Sequence, residues 1–171
     1  MIEAAQPPIL EIVNEYRPRS FCEIGCHEGM SARWFCHNIL EYYPRLKYFG
    51  YDAFEEVPKN ERNGKSIPSQ KKIITRLNWL KRKYKHFNYT LIKGYTIDTL
   101  IEPVQYGLVY IDGGHSYETV KHDYEKVKKS KIIIFDDYNL PGVEQAVSEI
   151  GKGFLLNYNH RKNKKWVIIN D

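Results

Sequence analysis

Apolar positions along this chain follow two rhythms that alternate from one end to the other. Ile9, Leu10, Ile12, Val13 and Tyr16 recur at helical spacing and are stopped by Pro18, so a helix is predicted from Pro8 to Tyr16. A short apolar run, Ser20–Ile24, predicts a strand, and Ser31 is placed to cap a following helix with Trp34, Phe35, Ile39 and Leu40 on its buried stripe, ended by Pro44. Further strands are predicted at Leu46–Tyr51, Tyr89–Lys93, Gly107–Ile111 and Lys131–Phe135, the last two almost unbroken in apolar character, as buried parallel strands require. Helices fall between them: Ile73, Ile74, Leu77, Leu80 and Tyr84 mark one, Tyr117, Val120, Tyr124 and Val127 another, and Val143–Ile150 a third. Two closing strands, Phe154–Asn157 and Trp166–Ile169, flank the polar turn NHRKNK and predict an antiparallel hairpin. The whole pattern is that of an α/β fold, a mostly parallel sheet with that hairpin at its end.

Composition narrows the picture. With 171 residues, 42% hydrophobic and 27% charged, the chain reads as one domain over residues 1–171 with a core large enough to fold without metal or disulfide. Cys22, Cys26 and Cys36 lack the spacing of a disulfide framework or a zinc site, and with no signal-peptide pattern and no long apolar run the expectation is a cytoplasmic protein without membrane contact. Charge adds one local feature. Residues 71–86 hold seven Lys/Arg and no acid, more than the chain's whole net charge of +5. That window is read as the solvated face of an amphipathic helix, with phosphate or nucleic-acid binding as the alternative.

In open α/β sheets ligands bind beyond the carboxyl ends of the strands, and the residues there are unusually polar. Gly25 and Gly29 after the first strand permit a sharp turn and close backbone approach, but their spacing is not that of a pyrophosphate-binding loop. Asp52, after the second strand, suits the paired hydroxyls of a ribose. Asp112, Asp136 and Asp137 end the fourth and fifth strands. Three carboxylates so close disfavour one another's ionisation unless a cation joins them, and oxygen ligands favour a hard one such as Mg²⁺. His115 is placed either to serve as a general base beside that cation or to cap the helix that follows.

The segments EIGCHEGMS, YDAF, YIDGGHSYETVKHDYEKV and IIIFDDYNLPGVEQAV resemble the successive motifs of class I S-adenosylmethionine-dependent methyltransferases, a Rossmann-like fold with a seven-stranded sheet and helices on both faces. The nearest likeness is to the metal-dependent, macrocin O-methyltransferase-like group, over roughly residues 10–150, and IDGGHSYE with the later DDY is its most diagnostic part. The resemblance implies that Glu23, Gly25, Gly29 and Ser31 line the methionine end of the cofactor, with Asp52 at its ribose, Thr96 at its adenine and Asp112 bordering it. It also implies that Asp112, Asp136 and Asp137 hold Mg²⁺ and that His115 is the base. The expected reaction is O-methylation of a sugar or other small-molecule hydroxyl. An RNA methyltransferase using the basic window, or a non-catalytic nucleotide- or nucleic-acid-binding module, are the alternatives, and the oligomeric state is not written in the sequence.

Overall fold

The computed structural model describes residues 7–56, 68–156 and 165–170. Seven strands form one sheet: β1 (Ser20–Ile24), β2 (Lys47–Asp52), β3 (Asn88–Lys93), β4 (Leu108–Ile111), β5 (Ile132–Phe135), β6 (Phe154–Leu156) and β7 (Lys165–Ile169). Their spatial order is β3-β2-β1-β4-β5-β7-β6, the first five parallel and β7 antiparallel to both β5 and β6. The predicted hairpin and the adjacency of the fourth and fifth strands are therefore both present. The polar turn 159–164 and most of the irregular connection predicted over 54–70 lie outside the described residues.

Helices cover both faces because the strands are apolar on both. On one face α1 (Pro7–Tyr16), α2 (Met30–Leu40) and α3 (Gln70–Lys83) bury Ile9, Val13, Phe35, Ile39, Ile73 and Leu77 against Phe21, Tyr48 and Leu108. On the other, α5 (Tyr117–Val127) and α6 (Pro141–Ile150) bury Val120, Tyr124, Val143 and Val147 against Val109, Ile133 and Phe135, with the single turn α4 (Thr96–Thr99) beside them. Every residue of β4 and β5 is buried, which explains their unbroken apolar sequence. Helix α3 keeps Ile73, Leu77 and Leu80 inside and its Lys and Arg residues at or near the surface, as the amphipathic reading requires, while Ile74 and Tyr84 are only half-buried.

Two local expectations are corrected and one element is added. Ser31 does not cap α2: the cap is Gly29, in left-handed conformation at φ 78°, and the Ser31 hydroxyl reaches back to Glu23 instead. Asp52 is the last residue of its strand rather than the first beyond it. The turn α4 was not foreseen, since four residues carry too little periodicity to be read. None of the helices among the described residues is long and apolar enough to cross a membrane.

Candidate active site

The parallel ladder continues one residue past the strands and sets the polar strand ends side by side. Gly94 donates to Asp52 O (3.0 Å), Gly25 to Tyr51 O (2.8 Å), Asp112 to Ile24 O (2.8 Å) and Asp136 to Ile111 O (2.9 Å). One row thus runs Gly94, Asp52, Gly25, Asp112, Asp136 across five strands. Glycine is required at position 25, where φ is 87° and a Cβ would lie 2.1 Å from the Asp112 carbonyl oxygen.

From Gly25 the chain makes a tight loop into α2. Asp52 holds it: one carboxylate oxygen accepts from the His27 amide at 2.6 Å and the other from the Phe54 amide at 2.5 Å, while burial raises its pKa. Helix α3 clamps the loop from outside. Lys72 Nζ lies 2.5 Å from the Glu28 carboxylate, Arg76 donates to the Glu28 carbonyl at 2.5 Å, and Ile73 occupies the space a side chain at Gly29 would need. Part of the basic window therefore serves the loop rather than solvent, a role that no local sequence signal announces.

Glu23 stands beneath this loop, wholly buried, accepting from the Ser31 hydroxyl and, at 2.6 Å, from Tyr48. Burial pushes its pKa up to about 7, with Asp52 adding repulsion and the two hydroxyls working against the rise. Its carboxylate binds α2 to β2.

At the fourth and fifth strand ends Asp112, His115 and Asp137 converge, each offering a ligand atom within 4.8 Å of the others. His115 Nε2 is buried, lies 3.3 Å from Asp137 Oδ2, and makes no hydrogen bond of normal geometry. The cap of α5 is Ser116, whose hydroxyl accepts from the Thr119 amide at 3.2 Å, so the capping role for His115 does not hold. Two carboxylate oxygens and an imidazole nitrogen make a donor set that fits a divalent cation.

Asp136 does not join them. It accepts from the Tyr110 hydroxyl and the Asp137 amide (2.8 Å) and forms an ion pair with Lys165 of β7, both side chains being nearly buried, at 13% and 14% exposure. Asp137 itself has φ 50°, so the Asp136 contacts fix a left-handed turn that aims the next carboxylate at His115. Thr96 opens α4, three residues past the end of β3, its carbonyl 3.2 Å from His122 Nε2, and its hydroxyl lowers the pKa of the buried Asp123, which burial raises to about 6.

Residues 22–138 match the methyltransferase domain family. The chain belongs to that family. This methyltransferase domain has the fold of the O-methyltransferase TomG from Streptomyces achromogenes, solved with S-adenosylmethionine (TM-score 0.68, 13% identity, 100% of this chain and 82% of that one). It is similarly related to the O-methyltransferase from Bacillus cereus solved with S-adenosylhomocysteine (0.65, 14%, 99% and 83%) and to CalS11, a TDP-rhamnose 3'-O-methyltransferase (0.61, 16%, 93% and 77%). A protein from Sinorhizobium fredii, y4gI, is 27% identical over 132 residues, 74% of this chain; the chain spans only 14% of that relative's length.

Two outcomes test this geometry. Glu23 binds its proton more tightly in the folded chain (about 7) than a free carboxyl (near ~4.3), so its contribution to stability is full below the free value and lost as pH rises through the folded one. Urea unfolding should show stability falling between pH 5 and 8, with about 2 to 3 kcal/mol of the fall absent in Glu23→Gln; an identical slope in the variant would rule out the buried carboxyl. Lys165→Met should cost roughly 2 to 4 kcal/mol by stranding Asp136, and Asp136→Asn in the same chain should recover much of it. Simple additivity of the two substitutions would contradict the pair.

Proposed function

We propose that this domain transfers the methyl group of S-adenosylmethionine to a hydroxyl of a sugar or other small molecule, with Asp112 and Asp137 holding a divalent cation such as Mg²⁺. The observation that carries the reading is the single row of strand ends, in which a carboxylate-held glycine loop lies next to a half-buried imidazole grouped with two carboxylates. Fold relatives solved with S-adenosylmethionine or its product support the cofactor, and the sugar acceptor of CalS11 supports the substrate class.

Asp52, its carboxylate held by two backbone amides, receives the ribose hydroxyls. The loop of Gly25 and Gly29 admits the methionine portion, held in shape by Glu23 from beneath and by Lys72 and Arg76 from outside. The cofactor supplies an electrophilic methyl whose carbon–sulfur bond breaks as the new carbon–oxygen bond forms, the sulfur keeping the electron pair. A cation at Asp112 and Asp137 would lower the pKa of the acceptor hydroxyl. His115 takes the hydroxyl proton at Nε2, and Asp137, 3.3 Å away, steadies the imidazolium. Asp136 and Lys165 neutralise each other and keep the turn rigid, a positioning role that replaces the ligand role expected of Asp136.

Methyl transfer to a panel of sugars and catechols, followed by release of S-adenosylhomocysteine, is the direct test. His115→Ala should lower kcat by ~10²- to 10⁴-fold with cofactor affinity nearly unchanged, and Asp137→Asn should remove the response to added Mg²⁺. Wild-type turnover in both variants, or full activity in a chelator, would overturn the assigned roles.

A further inference from the structure

The edge of the sheet opposite the strand ends just described carries a second chemical pattern. There the register row Asn88, Lys47, Ser20 continues through Gly107, which donates to the Ser20 hydroxyl, to Lys131, whose amide bonds Tyr106 O. Arg17, Arg19, Arg45 and Lys85 lie in the segments that lead into the same strand starts, and all four are exposed, as is Lys47. Five strands at ~4.8 Å spacing make this basic row roughly 19 Å wide.

Tyrosines alternate with the cations. Arg17 lies over Tyr42 (5.8 Å to the ring centre), Arg19 over Tyr43 (5.5 Å) and Lys131 over Tyr16 (5.6 Å). Glu41 and Glu125, at the same edge, are already engaged by Lys83 (3.0 Å) and Lys128 (2.6 Å). Complementing helix C-termini accounts for Lys83 and Lys128, which sit at the ends of α3 and α5, but not for Arg19, Arg45, Lys47 or Lys131, which stand at strand starts.

We infer that this edge is a docking surface for single-stranded nucleic acid, phosphates meeting the row of cations and bases stacking on arginine planes backed by tyrosine. A bilayer is the poorer match. Anionic membranes hold proteins through apolar insertion as well as charge, and the exposed large apolar side chains, Met30, Trp79, Tyr95, Ile97, Ile101 and Phe154, are not among the residues of this row. The surface faces away from Asp52 and His115, so it does not present the nucleic acid for methylation and is independent of the reaction proposed above; it would hold the domain on a strand.

The test is fluorescence anisotropy of a labelled oligouridylate of about 15 nucleotides over a salt series. Binding should weaken with salt, and Arg45→Gln/Lys47→Gln should lose about tenfold or more near ~0.1 M salt and make the log–log slope shallower by about 1.4, two phosphate contacts at ~0.7 each. Lys71→Gln/Lys93→Gln, which removes equal charge at the cofactor end, should change little. Thermal melts of both variants check folding. No binding by the wild type, equal loss in the two variants, or a preference for phosphatidylserine vesicles over the oligonucleotide would each overturn the assignment.

Discussion

A carboxyl group sealed from solvent, that of Glu23 at the end of β1, sets the geometry on which the rest of the site depends. It joins three elements at once: its own strand, α2 through Ser31, and β2 through Tyr48. Burying a carboxyl is costly unless its oxygens are satisfied, and here two hydroxyls satisfy them, so the chain can leave β1 along one path only. That path carries the glycine loop under Asp52 and into contact with α3. Gly50 leaves the room: a Cβ there would stand 2.7 Å from Cys26 Sγ and 2.8 Å from the Tyr48 hydroxyl.

The far side of the row is ordered by charge. Five ionisable groups crowd the ends of β4, β5 and β7, and the structure separates them into an ion pair, Asp136 with Lys165, and a cluster in which Asp112 and Asp137 flank His115. The first pair sits among nearly buried side chains, and the cluster beside it offers two carboxylates and an imidazole within 4.8 Å of one another. A backbone turn at φ 50° connects the two halves, so the structural pair orients the chemical one.

Much of this is visible in the sequence because it follows from local periodicity. The apolar runs gave the seven strands to within a residue or two, and the acid and glycine residues at their ends marked the candidate site. What escaped is non-local. Ser31 has the local signature of a helix cap, yet a buried carboxylate eight positions earlier competes for its hydroxyl and wins. Asp136 looks like a metal ligand beside Asp137, and only the antiparallel return of β7, pairing Phe135 with Trp166, brings Lys165 against it. The Arg76 and Lys72 contacts with Glu28 likewise join residues more than forty positions apart, so the charge run reads locally as a solvated face or a phosphate-binding patch and not as a clamp on the glycine loop. His115 was poised between two roles until the Ser116 cap removed one.

The central claim is that the row of strand ends is a binding site for S-adenosylmethionine organised around Asp52. Calorimetric titration of S-adenosylhomocysteine into the protein tests it most directly, because it needs neither an acceptor nor turnover. The account predicts one site per chain and a loss of about 1.5 to 3 kcal/mol of binding in Asp52→Ala, the scale of charge-assisted hydrogen bonds, in a protein that still melts cooperatively. Absence of binding in the wild type, or unchanged affinity in the folded variant, would contradict it.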